Sequence, residues 1–279
     1  MKPIHLLTIV CLPLLLSACT GSAYQLPTVS HAEKMQAEEE IKTDTSELRT
    51  YKRSDSNYKN RIARITKRLQ KSAQPLCEHA EYASCVFEVE YSNEDIENAY
   101  AYEDNKIVVF KGFLKYLKND HEMAALVGHE MGHHLADHIE EKRRNAETGA
   151  AVSGVLTAVL IGVANANNPY YNSYQQQQDQ QTIENMMAAG YKIGEISFSK
   201  EQEREADLLS AYLLEHAGYN LDKAQSLLYV MSRLSGDEVP GHAALLSSHP
   251  PSSERVVAWR KAIEEIEVNE TKLPYPKQP

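Results

Sequence analysis

The stretch His129-Glu130-Met131-Gly132-His133 lies inside a longer run, Asn119 to Arg144, that reads as one helix. Asn119 or Asp120 opens it, with Glu122 at the capping-box spacing from Asn119, and the helix is expected to reach about Arg144. Residues four apart on a helix share a face, so His129 and His133 can aim their imidazoles at one ion. Glu130 lies one position along, where its carboxylate reaches a water on that ion rather than the ion itself. Neutral imidazoles are zinc ligands, and zinc brings the pKa of a bound water down towards neutrality. A carboxylate beside that water can then take its proton as general base. Chance alone yields this five-residue pattern in roughly one or a few chains per hundred of this length, so the motif needs support elsewhere.

A catalytic zinc usually takes three protein ligands and keeps a fourth position open, which directs attention downstream. Ser199 and Gln202 form a second capping-box pattern, and the helix they open is expected to end at Gly218. Near its start, Glu203-Arg204-Glu205-Ala206-Asp207 puts Glu203 and Asp207 four apart, again on one face. Glu203 is the expected third ligand, and Asp207 the expected acceptor for the free N–H of a ligand histidine, which fixes that ring's tautomer and orientation. Glu201 and Glu205 compete for the ligand role, but Glu205 points about 160° away from Asp207 around the helix. Acidic residues also suit a helix N-terminus without any metal. His134 projects away from the ligand face, and His138 falls on roughly the opposite side of the helix from His129. Both suit the C-terminal half of a helix. His79, His121, His216 and His242 show no partner spacing.

Around these two helices the pattern is mostly helical with a small sheet, an α+β architecture in one domain. Ile62, Ile65 and Leu69 recur at helical spacing between Tyr58 and Leu69. Phe87, Val89 and Tyr91 alternate with Glu88 and Glu90 as in a half-buried strand. Asn98 to Tyr102 and Lys106 to Phe110 flank Glu103-Asp104-Asn105, which predicts a hairpin. Leu221 to Leu234 carries another helical pattern, and Pro250-Pro251 precedes a last helix with Val256, Trp259, Ile263 and Ile266 on one face. Gly149 to Ala166 is an 18-residue apolar stretch, marginal as a membrane span. It is expected to form a buried or lid-forming helical hairpin, with membrane-surface contact as the second reading. The Tyr/Gln/Asn-rich segment after it, to Gln181, is expected to be a mobile loop over the cleft.

The chain's formal net charge is −10, which argues against nucleic acid or anionic lipid as a partner held by charge alone. Residues 1–18 read as a signal peptide, with Lys2 ahead of the apolar run Ile4 to Leu16. That run ends in Leu16-Ser17-Ala18-Cys19, which resembles the bacterial lipobox and implies lipidation of Cys19. Thr20, in place of Asp, points to outer-membrane sorting. Residues 19–45 read as a tether that becomes helical towards its end, 46–266 as the main domain, and 267–279 as a C-terminal tail. Cys11 leaves with the signal, so an even pair, Cys77 and Cys85, remains in an oxidising compartment. A disulfide between them would contribute about 2.5 kcal/mol by loop-closure entropy.

Four motifs in order resemble the membrane-associated gluzincin metallopeptidases, the CAAX prenyl protease/HtpX-like family, and within it the periplasmic lipoprotein and chaperone-type proteases. They are Asn98-Ala99-Tyr100-Ala101, His129-Glu130-Met131-Gly132-His133 with His138 following, Glu203-Arg204-Glu205-Ala206-Asp207, and His249-Pro250 with Arg255. The resemblance runs from about Tyr58 to Ile266. It implies a zincin-like domain with one zinc per chain, His129, His133 and Glu203 as ligands, Glu130 as catalytic base and Asp207 as a supporting catalytic carboxylate. The Asn-Ala-x-Ala strand would border the cleft, where an extended polypeptide pairs as an added strand. His249 becomes a candidate fourth ligand that fills the open position, or a hydrogen-bond donor in the transition state. Arg255 would support its loop through a carboxylate. The implied activity is endopeptidase action on unfolded or misassembled cell-envelope proteins, from an anchor facing the periplasm. The alternative is a lipoprotein chaperone or assembly factor for outer-membrane proteins with a latent, His249-capped zinc site, which would add the outer-membrane assembly machinery as partner.

Overall fold

The computed structural model describes residues 22–44, 48–79, 84–195, 197–234 and 249–277. At its centre two helices lie against each other, α4 (Asp120–Leu135) and α7 (Lys200–His216). Every residue of α4 from Glu122 to Leu135 is buried, so this helix is wrapped by protein on all sides. Its glycines allow the close approach. A Cβ on Gly132 would stand 2.6 Å from the Ala206 carbonyl oxygen on α7, and one on Gly128 would stand 2.8 Å from Leu214 Cδ1. The helix α2 (Asp55–His79) covers one flank with Tyr58, Ile62, Ile65 and Leu69, and α10 (Ser253–Val268) covers α7 with Val256, Trp259 and Ile266.

The sheet has three strands, β1 (Glu88–Ser92), β2 (Ala99–Tyr102) and β3 (Lys106–Phe110), in the order β1-β3-β2. The expected hairpin forms, with β2 antiparallel to β3, while β1 runs parallel to β3. Asp104 and Asn105 turn the chain with φ of 61° and 58°, a region their short polar side chains tolerate. β2 is left as an edge strand next to α4. A short helix, α3 (Lys111–Leu114), leads from the sheet towards α4. On the C-terminal side, α7 starts at the expected Ser199/Gln202 capping box and is followed by Gly218 at φ 67°. The 221–234 pattern divides into α8 (Leu221–Ala224) and α9 (Ser226–Leu234).

Several expectations change. The helix predicted to reach Arg144 stops at Leu135, because Asp137 takes a left-handed φ of 59° and a new helix, α5 (His138–Asn165), leaves in another direction. Asn119 caps α4 through His121 N–H and Glu122 N–H, but the Glu122 carboxylate accepts from Lys118 N–H and the Asn119 side-chain amide. The reciprocal half of the capping box is therefore not formed. The apolar 149–166 stretch does form a hairpin, with α5 packed on α6 (Ser173–Glu195), yet its aliphatic residues face outward and Val163 is 72% exposed. The segment expected to be a loop to Gln181 is helical from Ser173.

A further change concerns the chain ends. Cys19 and the 1–18 segment lie outside the described residues. From Ser22, the expected tether folds back onto the domain: Tyr24 is buried and bridges Pro276, and α1 (His31–Thr43) packs on α10 through Ala37. The expected tail begins inside α10 and then pairs with that segment through Gln25 N–H to Tyr275 O and Lys277 N–H to Ala23 O. Cys77 and Cys85 are joined as a disulfide.

Gly132→Ala is predicted to destabilise the fold by about 1–3 kcal/mol in urea titration, because the added methyl meets backbone rather than a mobile side chain. Gly162 on α5 has nothing within 4 Å of its Cβ position, so Gly162→Ala should leave stability equal or up to about 1 kcal/mol higher.

Candidate active site

The approach of α4 to α7 brings the sequence-predicted residues together. His129 Nε2 lies 3.2 Å from His133 Nε2 and 3.3 Å from His249 Nδ1. Glu203 Oε1 lies 2.9 Å from His249 Nδ1 and 3.4 Å from His133 Nε2. A neutral imidazole carries one N–H, so three rings meeting at one point cannot all be satisfied by donating to one another. A metal ion resolves this. Donors held about 2.0–2.1 Å from a tetrahedral zinc stand about 3.3–3.4 Å from their neighbours, close to the spacing seen here. His129, His133, Glu203 and His249 thus form a buried group fit to hold one ion.

The rest of the site orients these donors. His129 Nδ1 faces Asp207 Oδ1 at 2.9 Å, so its proton points to the carboxylate and Nε2 is free to face the ion. Arg255 grips Asp207 with two bonds, Nε to Oδ2 at 2.7 Å and Nη2 to Oδ1 at 2.8 Å, and reaches Glu203 Oε2 with Nη1 at 2.7 Å. This planar fork is one that only arginine supplies. Burial by itself would raise both carboxyls. For Glu203 the charges of His249 and Arg255 outweigh it and hold the group well below the usual carboxylate range. For Asp207 the Arg255 charge has the same effect. Burial opposes charge on His129, but its bonds to Asp207 and Glu203 lift the pKa to about 9 without metal. Burial dominates at His133 and pushes it well below the ordinary value.

Glu130 is different. Both its carboxylate oxygens are buried without a hydrogen-bond partner among the described residues, and His249 Nε2 stands 3.6 Å from Oε1. A buried carboxylate left without a bonded partner is costly, so its retention points to a use rather than to stability. Beside the site, the Phe198 ring stacks on His133 with centroids 3.8 Å apart. Phe198 also lines a cavity of about 250 Å³ between Ala101 and Tyr102 of β2, Lys142 of α5 and Tyr191 of α6.

Residues 63–263 match the model of peptidase family M48. The chain belongs to peptidase family M48. The match covers the sheet, both motif helices and most of α10. Mitochondrial metalloendopeptidase OMA1 of Arabidopsis thaliana is 29% identical over 172 residues, 61% of this chain and 30% of that protein. Beta-barrel assembly-enhancing protease of Escherichia coli (strain K12) is 25% identical over 158 residues, 56% of this chain and 30% of that protein. The chain thus matches under a third of the length of each relative. M48 peptidases are zinc-dependent, and the donor set here suits one zinc per chain.

Sequence reasoning assigned no role to His138 and treated Glu205 only as a rival ligand. The structure buries both and joins them, with His138 Nε2 3.1 Å from Glu205 Oε2. The helix break at Asp137 turns His138 back towards His133, and its place after the His129–His133 motif in the family resemblance was the signal available. Phe198 carried no signal. His134 does point away, to the Lys106 carbonyl, and His242 lies outside the described residues.

Arg255→Met would strip two buried carboxylates of their cation. It should cost about 3–5 kcal/mol in urea titration of the zinc-free protein. Combined with Asp207→Asn, the loss should be smaller than the sum of the single changes, since the two residues act as one unit.

Proposed function

We propose that this chain is an endopeptidase hydrolysing peptide bonds of unfolded or misassembled cell-envelope proteins. The observation that carries it is Glu130: a buried carboxylate without hydrogen-bond partners beside a group fit for one zinc. In this reading His129, His133 and Glu203 hold the metal. The bound zinc supplies Lewis acidity and lowers the pKa of water at the site. Glu130 would take a proton from a water at the site as that water adds to the peptide carbonyl, and would deliver it to the amine that leaves when the C–N bond breaks. Asp207 keeps His129 in its ligating tautomer, and Arg255 holds Asp207 and Glu203 in place. The exposed edge of β2 offers backbone groups along which an extended polypeptide can pair without regard to its side chains, which suits unfolded substrates.

His249 is the proposed fourth donor in a closed state. Its Nδ1 belongs to the metal group and its ring is 1% exposed, so a substrate carbonyl can enter only after His249 withdraws. The chaperone reading of a latent site is not favoured, because both named relatives are peptidases.

We further propose residues 1–18 as a signal peptide, lipidation at Cys19 and a place in the outer membrane facing the periplasm. The Cys77–Cys85 disulfide supports an oxidising compartment, and the bacterial relative's name supports an envelope role and a link to outer-membrane assembly machinery. The metallopeptidase domain would run from 46 to 266, with 149–181 as its hairpin.

Glu130→Gln should keep one zinc per chain and slow degradation of an unfolded envelope protein by about 10²–10⁴-fold. Equal rates in wild type and variant, with zinc bound in both, would sink the peptidase reading. His249→Ala should speed the same hydrolysis. A slower variant would mean that His249 assists the reaction instead of blocking it.

A further inference from the structure

We infer that His138 and Glu205 are positioning residues for His133, and that through Glu205 the N-terminal segment becomes part of the metal site. The inference rests on His133 being a metal ligand. His133 turns Nε2 to the donor group, while its Nδ1 faces His138 Nδ1 at 3.0 Å. A ring-to-ring contact of this kind needs one donor and one acceptor. The other nitrogen of His138 decides which is which. It faces a Glu205 carboxylate oxygen, an acceptor only, so the His138 proton sits on Nε2 and its Nδ1 carries a lone pair. His133 must then donate from Nδ1, which leaves its Nε2 lone pair for the ion. Glu205 sets a tautomer one residue away, as Asp207 does directly for His129.

The second oxygen of Glu205 accepts the backbone N–H groups of Ala23 at 2.7 Å and Tyr24 at 3.1 Å. For Glu205 these two amides do what Arg255 does for Asp207: they hold a buried carboxylate in one orientation. The segment just beyond Cys19 is therefore wired to a metal ligand through three hydrogen bonds.

The test uses the full chain, with zinc affinity read by competition against a chromophoric chelator and the visible spectrum of the cobalt(II) form as a second readout. His138→Phe and Glu205→Gln should each weaken zinc binding by about 10–100-fold and shift the cobalt bands. His138→Gln should stay near wild type, because its amide can accept from His133 and donate to Glu205 as the imidazole does. Should His138→Phe fold poorly, Glu205→Gln carries the test. Wild-type affinity and an unchanged cobalt spectrum in Glu205→Gln, with His133→Ala abolishing the site, would overturn the positioning role alone. Tight binding surviving in His133→Ala would instead overturn the ligand assignment beneath it.

A different observation carries a second proposal. Between Glu147 and Asp179 the chain has no charged residue, in a protein where charged residues make up 24%. On the side of α5 turned away from α6, Val152, Val155, Leu156, Val159, Leu160 and Val163 form an exposed aliphatic row. Tyr170 and Tyr174 stand exposed at the tip. The two helices meet through small residues: a Cβ on Gly190 would stand 2.3 Å from the Gly149 carbonyl and from Ser153 Oγ. Close crossing at small residues, aliphatic outer faces and tyrosines at the end match helices in contact with lipid. A protein partner would be met by aromatic, Met or Arg anchors, which this row lacks. We propose that the outer face of α5 inserts into the surface of a lipid bilayer, with α6 and its glutamines towards water.

Added tryptophan reporters test this in the full chain with phosphatidylcholine vesicles carrying doxyl-labelled lipid. Val159→Trp emission should be blue-shifted and quenched relative to wild type, whose Trp259 is buried, while Gln177→Trp on the far side of α6 should be unaffected. No quenching at position 159 overturns the proposal. So does concentration-dependent dimerisation that protects position 159 without lipid.

Discussion

The constraint on which the structure depends is the burial of several ionisable groups at one helix crossing. Glu130, Glu203 and Asp207 are removed from water together with His129, His133 and His249, and charges so placed are costly unless they meet a partner. Arg255 satisfies two carboxylates, and an ion would satisfy the converging lone pairs. Gly132 lets α4 come close enough to α7 for this to happen, because any side chain there would hold the backbones apart. Packing and chemistry therefore share one set of atoms. The core could not be refilled with apolar residues without losing the site.

Burial also explains why one carboxylate differs from its neighbours. Asp207 is held by hydrogen bonds from Arg255 and Glu203 by ion pairs with Arg255 and His249, whereas Glu130 has no hydrogen-bond partner among the described residues. A group held in several directions positions others, while one held in none is available to move a proton. The same logic separates Glu205 from Glu203, although they stand two residues apart on one helix. Glu203 faces the metal group and Glu205 faces His138 and the incoming N-terminal segment.

Much of this was legible because helical periodicity converts sequence spacing into direction. The four-residue intervals His129–His133 and Glu203–Asp207 fixed shared faces, and the Ser199/Gln202 pair fixed where the second helix starts. What escaped depended on facts that spacing does not encode. His138 was assigned by extending α4 past Asp137, and a single left-handed residue redirected it. Glu122 has the capping-box spacing but bonds one residue earlier, at Lys118. The apolar character of 149–166 was plain, but composition alone does not say whether such a surface turns inward or outward. His249 and Arg255 were legible only through the family resemblance, because they reach the site from beyond α9 and no local pattern measures that distance.

A single zinc is expected among the imidazoles and one carboxylate at the α4–α7 crossing. Zinc X-ray absorption on the purified full chain tests it directly. The account predicts one zinc per chain in a four-coordinate shell of nitrogen and oxygen at about 2.0–2.2 Å, with imidazole scattering that falls when His129 or His133 is changed to Ala. A shell containing sulfur, or a zinc signal unchanged by those substitutions and by Glu203→Ala, would contradict it.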